Sequence, residues 1–80
     1  MAEPLLTQMR QRRLQLSLKQ QDMYMRVGIS RQQYHRIENK GNPRLDTLEL
    51  IAQGLNTELM LIPKEHVEAV KKLLATNLVN

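Results

Sequence analysis

The sequence predicts an all-α fold: four short helices packed as one core, a brief extended stretch, and a C-terminal helix. Three observations predict it. Apolar residues recur at three- and four-residue spacing along most of the chain. The three glycines and three prolines fall near the ends of those stretches. Ser30 with Gln33 three residues later reads as a capping box, the signature of a helix start.

The first helix is expected from about Pro4 to Leu16, with Leu5, Leu6, Met9 and Leu16 inward and Pro4 at the first helical position. The second is expected over about Lys19 to Val27. Met23 and Val27 lie four apart, Leu18 staples its start, and Gly28 stops it because glycine takes a positive φ freely. The third begins at Ser30, turns Tyr34 and Ile37 inward, and ends at Gly41 and Pro43. The fourth covers about Asp46 to Gly54, with Leu48, Ile51, Ala52 and Leu55 apolar and Gly54 as terminator. Residues 1–56 thus form the core, and residues 57–80 an extension of the same domain.

Leu59, Met60, Leu61 and Ile62 are consecutive and apolar, and Pro63 closes them. They read as a short helix capped by Asn56 or as a strand buried on both faces, and the strand is the favoured reading. A lone strand leaves backbone N–H and C=O groups unpaired. A second copy across a two-fold axis would pair them. The last helix, from about Lys64 to Thr76, repeats Val67, Val70 and Leu74. Glu65 and Glu68 come early in it and Lys71 and Lys72 later, as the helix dipole favours. Leu59, Met60, Leu61, Ile62, Val67, Val70 and Leu74 are therefore the candidate dimer contacts. The five methionines, Met1, Met9, Met23, Met25 and Met60, read as core filler.

A chain of 80 residues is one domain, and a domain of this size buries only about 60% of its unfolded surface. With no cysteine it holds no disulfide or thiolate metal site. No apolar run approaches the ~18 residues of a membrane span, and Met1-Ala2-Glu3-Pro4 shows no signal-peptide pattern. A cytoplasmic, nucleoid-associated protein is expected. No nucleophile–base pair, phosphate-cradling glycine loop or HExxH spacing is present, so no enzyme, cofactor or metal is expected. Single-stranded RNA stacking needs exposed aromatics, and Tyr24 and Tyr34 are both expected to face inward.

The net charge is +4 with a pI near 9.9, and it is unevenly spread. Residues 10–44 carry nine basic side chains against two acidic, a net +7, and residues 45–80 a net −2. That is the footprint of a polyanion partner. Within the basic half, two short helices flank Val27-Gly28-Ile29-Ser30, the layout of a helix-turn-helix. The second helix of such a motif enters the major groove with its N-terminal residues first. Here those are Arg31, Gln32, Gln33 and Arg36. Arginine can bridge guanine O6 and N7, and glutamine adenine N6 and N7. His35 lies on the same helix within reach of DNA. Lys40, Asn42 and Arg44 follow it in a loop suited to phosphates, and Arg44 also to the minor groove. Arg10 and Arg12 read as solvated or distant phosphate contacts, and Arg26 and His66 as surface.

Residues 5–56, and above all "KQQDMYMRVGISRQQYHRIENKGNPRLDTLELIAQGL", resemble the phage-repressor or Xre-like (Cro/CI-type) helix-turn-helix regulators, which implies a lambda-repressor-like core. The resemblance implies that Gln20 touches a phosphate and braces the recognition helix, that Gly28 is the turn glycine, and that Arg31, Gln32 and Gln33 open the recognition helix. It also implies an internal pair between Arg13 and Glu38. Two positions depart from the pattern. Lys19 stands where a Ser or Thr cap is usual and is free to add a phosphate contact. Tyr24 stands where a small Ala is usual, which implies looser or tilted packing of the second and third helices. Beyond residue 56, "ELMLIP" is similar to the antitoxins of Hip-type pairs, whose C-terminal strand pairs between subunits. Those are dimeric repressors of their own operon that bind a serine/threonine kinase toxin. The sequence thus points to a dimeric, double-stranded-DNA-binding repressor on a palindromic operator, with a kinase toxin as partner. The alternatives are a stand-alone regulator or mainly a partner-binding module.

Overall fold

A computed structural model describes the backbone of residues 2–79 and the side chains of residues 5–75. Five α-helices follow one another: α1 (Ala2–Gln15), α2 (Asp22–Val27), α3 (Arg31–Lys40), α4 (Leu45–Gly54) and α5 (Val67–Val79), the last led by a 3₁₀ turn over Lys64–His66.

The core lies among α1 to α4. Met9, Met23, Ile29, Tyr34, Ile37, Ile51 and Leu55 are buried together, with Leu6, Leu16, Leu18, Val27 and Leu48 packed around them. The inward stripes follow the expected spacing, and Ile29 in the turn joins them. Of the four described methionines, only Met9 and Met23 fill the core. Met25 is 86% and Met60 71% exposed, because each sits off its segment's inward positions; Met1 lies outside the described residues. Tyr24 is 59% exposed, not inward as expected. Its bulk points to solvent, so Met23 and Tyr34 still bury fully where α2 meets α3.

Helix ends explain most boundary differences. Pro4 lies in the first turn of α1 rather than at its first position, where its missing N–H is still unneeded. One turn of i→i+3 hydrogen bonds from Lys19 to Tyr24 leads into α2. Lys19 gives no side-chain cap; instead its backbone N–H donates to Asp22 Oδ2 at 2.7 Å. Among the described residues, three take the left-handed conformation that ends a helix: Ser17 (φ 58), Gly28 (φ 76) and Asn56 (φ 56). Ser17 and Asn56 each close a Schellman motif. Ser17 N–H donates to Leu14 O and Leu18 N–H to Arg13 O; Asn56 N–H donates to Gln53 O and Thr57 N–H to Ala52 O. Asn56 is thus the end of α4, not the cap of a later helix. Gly54 is still helical, and its bare Cα faces Val27, so close that a Cβ would collide with the Val27 side chain.

The expected strand over residues 57–62 is not formed. No strand occurs among the described residues, and residues 57–63 have no regular structure. A strand needs a neighbour to complete its hydrogen bonds, and within one chain none is available. Instead of being buried on both faces, Leu61 is fully exposed and Met60 and Ile62 are exposed as well; Leu59 is half-buried. In α5, Val67 and Val70 are half-buried and Leu73 and Leu74 exposed. Beyond the 3₁₀ turn with which it is continuous, α5 makes few contacts among the described residues.

Candidate nucleic-acid interface

The interface candidate is built outward from a buried ion pair. Arg13 on α1 and Glu38 on α3 meet with Nε to Oε2 at 2.8 Å and Nη2 to Oε1 at 3.2 Å, the two-point geometry that suits guanidinium and carboxylate. Their side chains are 8% and 2% exposed. Arg13 Nη1 also donates to Leu18 O at 2.7 Å, which ties the turn after α1 to the pair. Burial pushes the Glu38 carboxyl up. Hydrogen bonds from Arg13 and Gln20, the nearby Tyr34 hydroxyl and the Arg13 charge outweigh that, holding it below its ordinary range. Burial also pushes the Tyr34 phenol up, and the neighbouring carboxylate adds to the rise. The Tyr34 hydroxyl lies beside the pair without a hydrogen bond of good geometry.

Gln20, at the lead-in to α2, bridges this pair to the surface. Its Nε2 donates to Glu38 Oε1 at 3.3 Å, and its Oε1 lies 3.1 Å from His35 Nδ1. Two contacts from one side chain therefore fix α2 against α3.

α3 starts cleanly. Ser30 Oγ accepts from Gln33 N–H at 3.2 Å, so the cap holds the first turn. Tyr34 and Ile37 anchor the inner face. That leaves Arg31, Gln32, Gln33, His35, Arg36, Asn39 and Lys40 exposed. Arg31, Gln32, His35, Arg36, Asn39 and Lys40 line one shallow, open depression along the helix. Gln33 is exposed but outside that lining. The structure thus brings together three of the four expected base-reading positions, Arg31, Gln32 and Arg36, with His35, which was also expected near DNA, and adds Asn39.

The loop after α3 is less organised. Asn42 and Arg44 lie in it and are exposed; Lys40, expected in this loop, is instead the last residue of α3, exposed like Lys19 ahead of α2. Arg44 lies 3.6 Å from Asp46 in a solvent-exposed pair that contributes little. Two arginines expected to be solvated are used structurally. Arg12 Nε donates to Leu55 O at 3.0 Å and Arg26 Nε to Gly54 O at 2.6 Å. Both cap the C-terminal end of α4, where the helix dipole favours a cation. Their signal in the sequence was weak, since each partner is a backbone carbonyl far along the chain.

A helix-turn-helix family model of the Xre/Cro/CI type matches residues 9–62. The chain belongs to this family. It is a family of DNA-binding transcriptional regulators rather than enzymes, and the match spans α1 to α4 and the segment after them. Comparison with curated proteins and with solved structures finds no match. In this helix-turn-helix chain, α2, the Gly28 turn and α3 are the motif. Among the described residues no helix is long and apolar enough to cross a membrane, and no group of side chains is placed to hold a metal ion.

Proposed function

We propose that this chain is a sequence-specific repressor that binds a palindromic operator as a dimer, with α3 of each subunit in a major groove. The outer face of α3 carries this reading: Arg31, Gln32 and Arg36 stand exposed along one depression while Tyr34 and Ile37 hold the helix to the core. Arg31, Gln32, Gln33 and Arg36 read base edges in this account. Gln20, Lys19, Lys40, Asn42 and Arg44 contact phosphates. The exposed run of Met60, Leu61 and Ile62 supports the dimer. The dimer contacts in this reading are Leu59, Met60, Leu61, Ile62, Val67, Val70 and Leu74. Half-sites then lie about one helical turn, ~34 Å, apart.

Fluorescence anisotropy tests the reading with DNA from upstream of the chain's own gene and a scrambled duplex, each at about 50 and 200 mM salt. Preference for the native duplex of about 10³-fold or more is expected of a specific regulator. Equal, salt-sensitive binding to both would leave only a basic surface.

The same exposed apolar segment favours a second role, as the antitoxin of a Hip-type kinase toxin. Stoichiometric co-purification with the product of an adjacent kinase-like gene is the expected result. A chain that never associates with it is a stand-alone regulator.

A further inference from the structure

His35 is exposed on α3 and lines the same depression as Arg31, Gln32 and Arg36. Its ring is not free to choose its protonation pattern, and the constraint begins in the core. Arg13 holds both oxygens of Glu38, and Glu38 Oε1 accepts from Gln20 Nε2. An ionised carboxylate only accepts. The Gln20 amide therefore has a fixed direction, with its NH₂ toward Glu38 and its oxygen away. The reverse orientation would set two acceptors against each other. The amide oxygen so directed is the atom 3.1 Å from His35 Nδ1. It has no proton to give, so Nδ1 carries the hydrogen. A neutral imidazole has one N–H, and Nε2 is left as a bare acceptor.

Asn39 competes for it only weakly. Asn39 Nδ2 donates to the His35 carbonyl oxygen at 2.8 Å. It lies 3.2 and 3.4 Å from the two ring nitrogens. One N–H of that amide is taken by the carbonyl; with Nδ1 protonated the other can donate only to Nε2, at 3.4 Å, a long contact that a base amino group would displace.

We propose that His35 is a specificity-determining residue whose Nε2 accepts a hydrogen bond from a base amino group, adenine N6 or cytosine N4, and that Gln20 positions it by fixing the tautomer. Guanine and thymine offer no donor on their major-groove edges, so the contact discriminates by strand at one base pair. The inference rests on α3 lying in the groove. It makes Gln20 more than a brace: the buried pair sets the amide, and the amide sets which kind of atom the histidine shows to DNA.

Two readouts test it. In the full chain labelled with ¹⁵N-histidine, a long-range ¹H–¹⁵N correlation at about pH 8, above the usual histidine range, reports which ring nitrogen carries the proton. Nδ1–H is expected for His35, with that preference lost in Gln20→Ala. An Nε2–H ring in the unmodified chain overturns the proposal. The second readout uses the duplex the chain prefers, with each base pair replaced in turn. His35→Ala is expected to lose about ten-fold discrimination at one base pair and keep it elsewhere, as for one base contact. Full discrimination retained at every position overturns the proposal while leaving the groove reading intact. A wild-type chain that binds every duplex alike overturns the groove reading and the base contact together. The tautomer, read on the free chain, then reports on the Gln20–His35 geometry alone. His35→Ala also removes the Gln20 contact, but that contact is exposed, so only a small drop in melting temperature is expected and the fold survives for the binding comparison.

Discussion

Arg13 of α1 and Glu38 of α3 meet side by side between the two helices, Nε to Oε2 at 2.8 Å, with almost no exposure to solvent. A buried pair of this kind does not guarantee net stability over an apolar alternative, because both charges lost their water. Breaking it is another matter. Arg13→Ala leaves a buried carboxylate without its counter-charge and is expected to cost about 3–5 kcal/mol in urea unfolding. A loss under about 1 kcal/mol would match an exposed pair and contradict the burial.

The same pair predicts an acid dependence. The Glu38 carboxyl is held below its ordinary value of 4.5, so below that pH the unfolded chain takes up a proton before the folded chain does. The stabilisation is complete above about 4.5 and is lost as pH falls through the folded value. Glu38→Gln is expected to be less stable at neutral pH and to lose this part of the acid dependence. Parallel curves for both proteins down to about pH 3 would count against it.

Two glycines predict different kinds of cost. Around Gly28 nothing stands near an added Cβ, but its φ is +76. Gly28→Ala is expected to lose about 1–2 kcal/mol from backbone conformation alone. At Gly54 an added Cβ meets the Val27 side chain. Gly54→Ala is expected to lose about 1–3 kcal/mol to overpacking, against its better helix propensity. Val27→Ala in the same chain would relieve that clash, so non-additivity in the double mutant is the diagnostic.

Leu61 is fully exposed in the single chain. Replacing it by Arg is expected to turn a dimer in sedimentation velocity into a monomer while the core still unfolds at its own midpoint. A parent already monomeric at operator-binding concentrations would remove residues 57–62 from the dimer account.

Side-chain periodicity made the core legible. Met9, Met23, Tyr34, Ile37, Ile51 and Leu55 stand where the helical spacing puts them. The capping box at Ser30 was legible too, because both partners lie within one turn. Helix ends were harder to read. Glycine marked only one of the three left-handed positions, and Ser17 and Asn56 took the others through backbone hydrogen bonds that leave no pattern in side-chain type. The contacts of Arg12 and Arg26 with backbone carbonyls were hidden for the same reason. The segment 57–62 reads as buried from composition, yet burial there requires a second surface that one chain does not contain. Of the candidate interface, residue types and their outward positions were legible. The bridge from Glu38 through Gln20 to His35 was not, since it depends on how α2 crosses α3.

In the proposed complex the outer face of α3 reads the major groove. The most direct test replaces single guanines of the preferred duplex by 7-deazaguanine, which removes the N7 acceptor and leaves Watson–Crick pairing intact. One or two such replacements are expected to weaken binding of the parent chain about ten-fold and to have no further effect on Arg31→Ala or Arg36→Ala, because the lost contact is the same. Binding insensitive to every 7-deazaguanine, but weakened when inosine removes the minor-groove amino group, would contradict it.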